Sequence, residues 1–497
     1  MTTEPKGPAM AEEDDTLFVL GEQRVTRAQF DDRVLKAQSI LSEKGIGRGD
    51  RIGIAFRNRP QFYELMAAAT ALGATTVPIA WRLKRDEVRY LVQNSGVKLV
   101  FFDADSAAQM EGVAGVSLDE YESELTSAHP ATTGSVPTGF DMHLYSSGTT
   151  GKPKAIEREP VPEAVMAKAA PGRNGLLDML GVGEPGEVHL ICGPLYHSQP
   201  IGFGASALAA SHRVVMMEGG FDAEECLRVI DREKVTWLTC VPTHLIRIMA
   251  LPEETRAKYD VGSIKAILHS AAPCPRDVKA AAMDYFPRDS IWEVYGGTEG
   301  AMAMISPAEW REKPGSVGRA FPPGTELRIM DERGNVLPPG ETGLVYSRAI
   351  MKFRYKDAEQ LDSETWSGDF FTLGDMGYLD EDGYLFLTDR KKDMVISGGA
   401  NIYPAEIEAT LFNHPAVGDA AVIGVPDDHW GERVKAIIEP RAQVTEREII
   451  DFCRNNLAHY KCPASVDFVD KLPRDPNGKI RKRELRKEYW QGAGRAI

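Results

Sequence analysis

Short apolar runs alternate with helix-like segments along the first half of the chain, and this alternation restricts the fold more than any other feature. Thr26 can cap a helix, because the apolar residues that follow it, from Phe30 to Leu41, recur at helical spacing. Strands are predicted at 51–56, 76–79 and 98–103, with helices between them at 61–72 and 85–93. Such alternation predicts parallel sheet in which each helix crosses over from one strand to the next.

The same pattern resumes after an interval rich in glycine, proline, serine and threonine, and it then changes. Helices are predicted at 223–235 and 276–286, among buried strands at 188–192, 213–217, 236–241, 266–270 and 291–295. Beyond them, the turn clusters 331–335 and 380–383 separate short β runs. The predicted fold is α/β, with a large N-terminal domain of parallel-rich sheets and helices at 1–389, a β-rich subdomain within it at 315–388, a boundary at 390–393 and a small α+β C-terminal domain at 394–497.

Composition and charge exclude several classes of protein. The 497 residues carry a formal net charge of −15, which argues against a nucleic-acid partner held through backbone phosphates. The six cysteines show no C-x-x-C spacing, which predicts free thiols in a reducing compartment. The N-terminal segment lacks the apolar core of a signal peptide, and no run approaches the roughly 18 apolar residues of a membrane span. We therefore expect a cytoplasmic protein without an integral membrane segment.

The segment 145–154 has the composition of a phosphate-binding loop. Glycines let the backbone turn its N–H groups toward an anion, hydroxyls donate further hydrogen bonds, and lysines supply charge. It is not a Walker A loop, because only two residues separate Gly148 from Gly151 and because Pro153 follows the first lysine. A flexible surface linker is the alternative, but linkers seldom combine this order with flanking apolar residues. The residues expected to bind phosphate are Ser146, Ser147, Gly148, Thr149, Thr150, Gly151, Lys152 and Lys154.

This loop resembles that of the adenylate-forming (acyl-CoA synthetase or AMP-binding) superfamily, which includes acyl-CoA synthetases, adenylation domains of peptide synthetases and beetle luciferases. The resemblance covers nearly the whole chain, since further family motifs follow in the same order. The motif sequences are most similar to those of fatty-acid and bile-acid-type acyl-CoA ligases. Ala155 departs from the family, which usually has glycine there, and we expect it to narrow the allowed backbone shape without abolishing binding. The resemblance also places Thr149 among the catalytic residues.

A second motif, at 295–299, directly follows a predicted strand, where ligands of α/β sheets bind. An aromatic ring can stack on adenine and a carboxylate can hold Mg²⁺, although taken alone Glu299 could equally be a solvated loop carboxylate. The resemblance implies that Tyr295 stacks on adenine, that Thr298 contacts the α-phosphate region and that Glu299 is the magnesium ligand. The implied nucleotide site also contains Gly296, Gly297, a loop of Ala271, Ala272 and Pro273 beside the adenine, and Asp375, which accepts the ribose hydroxyls.

The charged run 389–393 stands at the predicted domain boundary. Charge alone would make it a solvated face, but its position and the glycine pair that follows favour a hinge and a ligand loop. By resemblance, Arg390 contacts ribose or phosphate, and Lys392 is the pivot about which a mobile C-terminal domain turns. Ser397, Gly398 and Gly399 match the loop that lines the tunnel for the coenzyme A thiol.

Two further residues are implied as catalytic. Lys479 lies on a turn rich in proline, asparagine and glycine, from which a cation could reach the charge that develops in the acyl-phosphate transition state. The family's matching lysine is catalytic. His197 matches a histidine that lies near the acyl pocket and gates the thiol, although a lone histidine is more often structural. We expect the acyl pocket to be lined by His197, Gly204, Trp237 and His269, which suggests a mainly apolar or aromatic acid.

These features predict an ATP-dependent carboxylate–CoA ligase that uses ATP, Mg²⁺ and coenzyme A. It would adenylate a carboxylic acid with release of pyrophosphate, and would then form the acyl-CoA thioester after rotation of the C-terminal domain. An alternative keeps adenylation but passes the acyl group to a carrier-protein phosphopantetheine, an amine or another nucleophile. A silent nucleotide-binding regulator would be expected to lack Lys479, Glu299 or Asp375, and all three are present. The family is often dimeric, so a homodimer is compatible with the resemblance.

Overall fold

The computed structural model describes residues 15–132, 134–137, 139–146, 154–158, 175–272, 274–348, 352–390, 393–397, 400–427, 430–474 and 480–491. Helices and strands alternate along them. The strands are β1 Thr16–Leu20, β2 Gln23–Thr26, β3 Arg51–Ala55, β4 Thr75–Pro78, β5 Leu99–Phe102, β6 Gly115–Ser117, β7 Tyr145–Ser146, β8 Lys154–Arg158, β9 Val188–Ile191, β10 Arg213–Met216, β11 Trp237–Cys240, β12 Ala266–His269, β13 Ile291–Gly296, β14 Ala301–Ile305, β15 Arg319–Ala320, β16 Leu327–Met330, β17 Gly343–Arg348, β18 Phe353–Tyr355, β19 Trp366–Ser367, β20 Phe370–Leu379, β21 Leu385–Arg390, β22 Val395–Ser397, β23 Ala400–Ile402, β24 Val417–Asp427, β25 Gly431–Pro440 and β26 Ser465–Phe468. The helices are α1 Arg27–Glu43, α2 Pro60–Ala71, α3 Arg85–Ser95, α4 Leu118–Ser127, α5 Gly175–Met179, α6 Ser198–Ala209, α7 Ala223–Glu233, α8 Pro242–Met249, α9 Glu253–Arg256, α10 Arg276–Tyr285, α11 Pro307–Glu312, α12 Glu359–Thr365, α13 Pro404–Phe412, α14 Glu446–Asn456 and α15 Lys482–Trp490.

Local sequence signals explain where several helices begin. Thr26 caps α1 as predicted: its hydroxyl accepts a hydrogen bond from the Gln29 backbone N–H at 3.2 Å, and its own N–H donates to Gln29 Oε1 at 2.9 Å. Thr445 and Glu448 form the same reciprocal pair at the start of α14. Each pair satisfies backbone N–H groups that have no partner within the helix.

One compact unit comprises the described residues up to Met142 together with Glu184–Tyr196 and Pro200–Gly220. Its first sheet has the order β4-β3-β5-β6 and is parallel throughout, which confirms the predicted crossovers. In a second group, β9, β10 and β1 are parallel, and β2 joins β1 antiparallel. Phe30 of α1 and Tyr63 of α2 pack against Phe18 of β1 in one buried aromatic cluster.

The other unit comprises the described residues of His143–Gly183, His197–Gln199 and Phe221–Ile497. Strands β11, β12 and β13 are parallel, and β14 and β15 continue from β13 antiparallel. An antiparallel sheet follows in the order β16-β17-β20-β19, with β21 on β20, and a small sheet has the order β18-β8-β7. These antiparallel strands agree with the β-rich signal at 315–388.

The last part of the same unit is α+β, as the sequence predicts. Its sheet has the order β23-β22-β25-β24, with β26 parallel to β25, and α13, α14 and α15 accompany it. Apolar residues of both faces are buried in separate clusters, one around Ile407, Ile438 and Ile449 and one around Ile423 and Leu472. The α/β fold class is thereby confirmed.

The structure also describes the cysteines and the apolarity of the helices. All six cysteines are free thiols, four buried and two partly exposed. None of the described helices combines the length and the apolarity that crossing a bilayer would require.

Candidate active site

The carboxyl ends of three parallel strands lie side by side. Cys240 at the end of β11 pairs in register with His269 at the end of β12, which pairs with Glu293 in β13. Gln199 ties two of these ends together, because its side-chain amide donates to the Cys240 carbonyl at 3.2 Å and to the Leu268 carbonyl at 3.4 Å. Gln199 could not be identified from the sequence, since only the fold brings it to strands that follow much later in the chain.

A tight turn presents the motif at 295–299 at this edge. The pairing of β13 with β14 shifts register between Tyr295 and Gly296, and Gly297 N–H donates to the Gly300 carbonyl at 3.0 Å. A Cβ atom on Gly296 would lie 2.5 Å from that carbonyl oxygen and 2.7 Å from the next Cα. A side chain is therefore excluded at Gly296, which fixes the path that leads to Thr298 and Glu299.

Two residues predicted for the nucleoside part of the site are in direct contact. The Tyr295 hydroxyl donates to Asp375 Oδ2 at 2.6 Å. Asp375 lies in β20 and is buried, and Gly374 before it has φ +78°, a backbone conformation that glycine adopts without strain. The bond holds the carboxylate in place and couples two segments that are distant in sequence.

Thr298 and Glu299 are held by side chains from three other elements. Ser198 Oγ, at the start of α6 and next to His197, lies 3.4 Å from Thr298 Oγ1. Arg158 at the end of β8 donates from Nη2 to the Thr298 carbonyl at 2.7 Å. Tyr355 in β18 donates its hydroxyl to Glu299 Oε1 at 2.7 Å.

The protonation states of these groups suit an anion site. Burial, together with the charge of Glu299, raises the pKa of Tyr355, so its hydroxyl stays protonated and remains a donor. Neither Arg158 nor Tyr355 was identified from the sequence. Strand β8 does not alternate polar and apolar residues, so its sequence carries no local signal for Arg158.

The ends of the predicted phosphate loop are paired to each other. Tyr145 pairs with Ala155 and Ser146 with Lys154, so β7 and β8 form an antiparallel pair around the loop. Residues Ser147, Gly148, Thr149, Thr150, Gly151 and Lys152 lie outside the described residues. Ala155 is fully buried in this pair, where its methyl group is accommodated. Strand β18 flanks β8 on the other side, with Tyr355 opposite Ile156.

The residues predicted for the acyl pocket are not all brought together. His269 is fully buried at a strand end, and its Nε2 lies 3.6 Å from Glu293 Oε2, which also accepts from Lys279 Nζ at 2.5 Å. Burial, and then the charge of Lys279, lower the pKa of His269 well below its ordinary value, so the imidazole is neutral. Trp237 is fully buried at the opposite end of β11, roughly 10 Å along the strand.

Gly204 lies in the other compact unit, within α6. A Cβ atom there would collide with the Tyr63 hydroxyl and would lie 2.9 Å from Ile191 Cδ1. The structure therefore gives Gly204 a packing role against α2 and β9.

The predicted residues at the domain boundary and beyond are described in part. The backbone of Arg390 pairs with Asp375 across β20 and β21, and Ser397 ends β22 opposite Ala400. Pro273, Lys392, Gly398, Gly399 and Lys479 lie outside the described residues, whereas Ala271 and Ala272 are exposed and Ala271 has φ +75°. The turn that carries Lys479 is flanked by a bridge between Arg474 and Ile480 and by a bond from Arg481 N–H to the Pro473 carbonyl at 2.8 Å.

The donor set around Glu299 fits a magnesium ion that is bound together with phosphates. Among the described residues no three His, Cys, Asp or Glu side chains cluster as metal ligands. Mg²⁺ usually takes one or two carboxylates plus phosphate oxygens and waters. The Glu299 carboxylate with the Thr298 hydroxyl nearby suits that mode and does not suit an all-protein cage.

Comparison with known proteins identifies the family of this chain. Residues 8–354 match the model of the AMP-binding enzyme family, and residues 406–479 match the AMP-binding enzyme C-terminal domain. A feruloyl-CoA synthase from Amycolatopsis sp is 32% identical over 94% of this chain and 95% of its own length. The fatty acid–[acyl-carrier-protein] ligase ScoC from Streptomyces coeruleorubidus is 30% identical over 99% of this chain and 96% of its own length.

A solved structure gives the same result for the fold. The o-succinylbenzoate CoA synthetase MenE from Bacillus subtilis, in complex with its acyl-adenylate intermediate, has a TM-score of 0.81 and 27% identity, covering 97% of this chain and 96% of that chain. The predicted resemblance is thereby confirmed, and this chain belongs to the AMP-binding enzyme family.

Proposed function

We propose that the chain is an acyl-CoA synthetase, which adenylates a carboxylic acid with ATP and then transfers the acyl group to coenzyme A. The observation that carries this proposal is the line of contacts from Asp375 through Tyr295 to Thr298 and Glu299 within one unit. It offers a buried carboxylate for ribose hydroxyls at one end and a carboxylate with cationic and hydroxyl neighbours for phosphates at the other. Family membership supports the same assignment.

In the first half-reaction a substrate carboxylate oxygen attacks the α-phosphorus of ATP, and the bond to pyrophosphate breaks. Glu299, oriented by Tyr355, would hold Mg²⁺, which when bound neutralises phosphate charge. We assign phosphate contacts to the loop from Ser146 to Lys154, and we assign Lys479 to the charge that develops as pyrophosphate leaves. In the second half-reaction the thiol of coenzyme A attacks the acyl carbonyl and AMP leaves.

The two half-reactions require different surroundings, and a hinge provides them. We propose an N-terminal domain at 1–389, a hinge at 390–393 centred on Lys392, and a C-terminal domain at 394–497 that rotates between the steps. Rotation would remove Lys479 and would present Ser397, Gly398 and Gly399 to the thiol. His197 adjoins Ser198, which lies close to Thr298, and this position supports its assignment as the gate between acyl pocket and thiol.

The acid is proposed to be mainly apolar or aromatic. His269 is neutral and fully buried, and the nearby Glu293 carboxylate is paired with Lys279, so this strand end offers no net charge to a pocket. Feruloyl-CoA synthase and ScoC act on an aryl and a fatty acid by their names, and both classes belong in the substrate panel. Free thiols on all six cysteines support a reducing, cytoplasmic setting. A homodimer stays a prediction that sedimentation would test.

The test is pyrophosphate release from ATP with a panel of aryl, long-chain fatty and bile acids, with and without coenzyme A. We expect one class to release pyrophosphate and coenzyme A to convert it to a thioester. The Lys479→Ala variant should lower pyrophosphate release by about 10²- to 10³-fold. Lys471→Ala is the matched control, because Lys471 is an exposed lysine shortly before the same turn.

Two outcomes would redirect the assignment. Pyrophosphate without a coenzyme A thioester would favour the alternative acceptor, which a carrier protein bearing phosphopantetheine would test, as the name of ScoC suggests. Binding of ATP without pyrophosphate release from any acid would favour a silent nucleotide-binding regulator and contradict the proposal.

A further inference from the structure

Arg158 lies where it faces the phosphate end of the proposed nucleotide site. It is the last residue of β8, the strand that leaves the phosphate loop, and it pairs with Phe353 of β18. Successive side chains of a strand point to opposite faces, so Ile156 and Arg158 share a face. Ile156, Phe353 and Tyr355 are buried in one cluster, and the Tyr355 hydroxyl reaches Glu299. Arg158 thus approaches the turn of Thr298 and Glu299 from the neighbouring strand, and its hydrogen bond goes to the Thr298 carbonyl.

The electrostatic surroundings of Arg158 are those of a cation in a recess. Its side chain stays accessible to solvent, and it donates from Nη2 to the Thr298 carbonyl at 2.7 Å. Desolvation by the surrounding protein lowers the pKa of Arg158, and the negative charge of Glu299 opposes that shift. A guanidinium keeps its charge in such a setting and carries five N–H donors, so a bond to Thr298 leaves capacity for another acceptor.

The orientation of the bound nucleotide follows from the contacts at the ribose end of the proposed site. The Tyr295 hydroxyl bonds to Asp375, the residue assigned to the ribose, and the chain then runs from Tyr295 to Glu299. Arg158 contacts the Glu299 end of this line, away from the ribose end. A planar guanidinium matches phosphate oxygens bidentately, and ATP carries more charge beyond its α-phosphate than AMP does.

We propose that Arg158 binds the β- and γ-phosphates of ATP, and hence the departing pyrophosphate, as a cation additional to those of the phosphate loop and Lys479. This inference rests on the proposed function and adds one residue to its phosphate site. In the absence of nucleotide Arg158 balances the charge of Glu299 and braces the Thr298 carbonyl. With ATP and Mg²⁺ bound, the guanidinium pairs with phosphate oxygens.

The test compares the affinities for ATP and for AMP by isothermal titration calorimetry, in magnesium buffer and without acid or coenzyme A. Arg158→Gln should weaken ATP binding by about 10- to 100-fold, because a charge-assisted contact is lost. AMP binding should change by about twofold or less, since AMP lacks the β- and γ-phosphates. Arg158→Lys should fall between the wild type and Arg158→Gln, because a lysine keeps the charge without the planar fork.

Arg354→Gln is the matched control. Arg354 is the neighbour of Phe353 in β18 and projects from the opposite face, where it pairs with Glu157 at 2.9 Å. Arg354→Gln should leave the affinities for ATP and for AMP unchanged. Intact AMP binding by Arg158→Gln also reports a folded site.

The outcomes separate this inference from the proposed function. Equal weakening of ATP and AMP, or no weakening of ATP, would overturn the role of Arg158 while adenylation by the wild type still stands. A wild-type protein that binds neither nucleotide would overturn both.

Discussion

Replacing Gly204 by alanine adds one methyl group to a buried position of α6 that has no room for it. The new Cβ would collide with the Tyr63 hydroxyl and would lie 2.9 Å from both Tyr63 Cζ and Ile191 Cδ1. Tyr63 is fully buried, its hydroxyl donates to the Ile201 carbonyl at 3.2 Å, and its ring packs against Phe18 at 5.9 Å between centroids. The ring cannot move without disturbing that cluster.

The expected loss of stability is the sum of two costs and one gain. Overpacking of a buried site costs about 1–3 kcal/mol, and loss of the tyrosine hydrogen bond costs about 1 kcal/mol more. Alanine regains about 1 kcal/mol as a better helix former than glycine. The free energy of unfolding of Gly204→Ala should therefore fall by about 1–3 kcal/mol.

Gly202→Ala is the matched control in the same helix, because a Cβ atom there meets nothing within 4 Å. It should keep or raise the stability by up to about 1 kcal/mol. The assay is urea unfolding followed by circular dichroism, with the order of the midpoints as the readout, since a chain with two compact units need not unfold in one step.

Tyr63→Phe provides the refuting comparison. It removes the oxygen atom nearest to the added methyl group, so the double variant Gly204→Ala/Tyr63→Phe should unfold at a higher urea concentration than Gly204→Ala alone. Equal midpoints for Gly204→Ala and Gly202→Ala would refute the packing argument. An unchanged midpoint with an altered choice of acid would instead support the sequence-based assignment of Gly204 to the acyl pocket.

Three further predictions concern the site and its buried charges. Tyr355→Phe removes the donor to Glu299 and should lower ATP–pyrophosphate exchange by about 10- to 100-fold, with little change in AMP affinity by calorimetry. Burial lowers the pKa of His244 to about 3, so the folded state resists a proton that the unfolded state binds; stability should fall as the pH drops below about 6.5 toward 3. His244→Phe, which keeps an aromatic ring against Phe221, should flatten that acid-side loss in urea midpoints measured between pH 7 and pH 4, and an unchanged slope would contradict the assignment. Lys279→Met leaves the buried Glu293 carboxylate without its cation and should cost about 3–5 kcal/mol in urea unfolding; a loss below about 1 kcal/mol would show the pair to be dispensable.

Elements with complete local signals could be predicted closely from the sequence. Helix α1 begins at the residue that the Thr26 cap predicts, because Thr26 and Gln29 form a capping box whose two members are three residues apart. The strands β1 and β2 before α1 were not predicted. Strand β1 pairs with β10, which is far away in the sequence, and β2 pairs with β1. Runs of five and four residues are too short to show a clear pattern.

In the candidate site, too, residues within a contiguous motif could be identified from the sequence, whereas residues that act through long-range contacts could not. Tyr295, Thr298 and Glu299 form one contiguous motif and could be identified as such, and the contact of Tyr295 with Asp375 joins two motifs that were both predicted. Arg158 and Tyr355 were missed because each acts through a bond to a residue more than fifty positions away. The assignments of Lys479, Lys392 and Thr149 remain predictions.

The hairpin of β20 and β21 has a thermodynamic consequence for the proposed catalytic cycle. Asp375, assigned to the ribose, pairs across this hairpin with Arg390, the last residue of β21 and the first of the proposed hinge. Under the proposed function, nucleotide binding and the hinge angle would therefore act on the same two-stranded ribbon. By linkage, if bound ATP favours one orientation of the C-terminal domain by some factor, that orientation binds ATP more tightly by the same factor. The same holds for AMP and the orientation that AMP favours. The exchange of ATP for an adenylate could thus itself bias which half-reaction the enzyme is set up to perform.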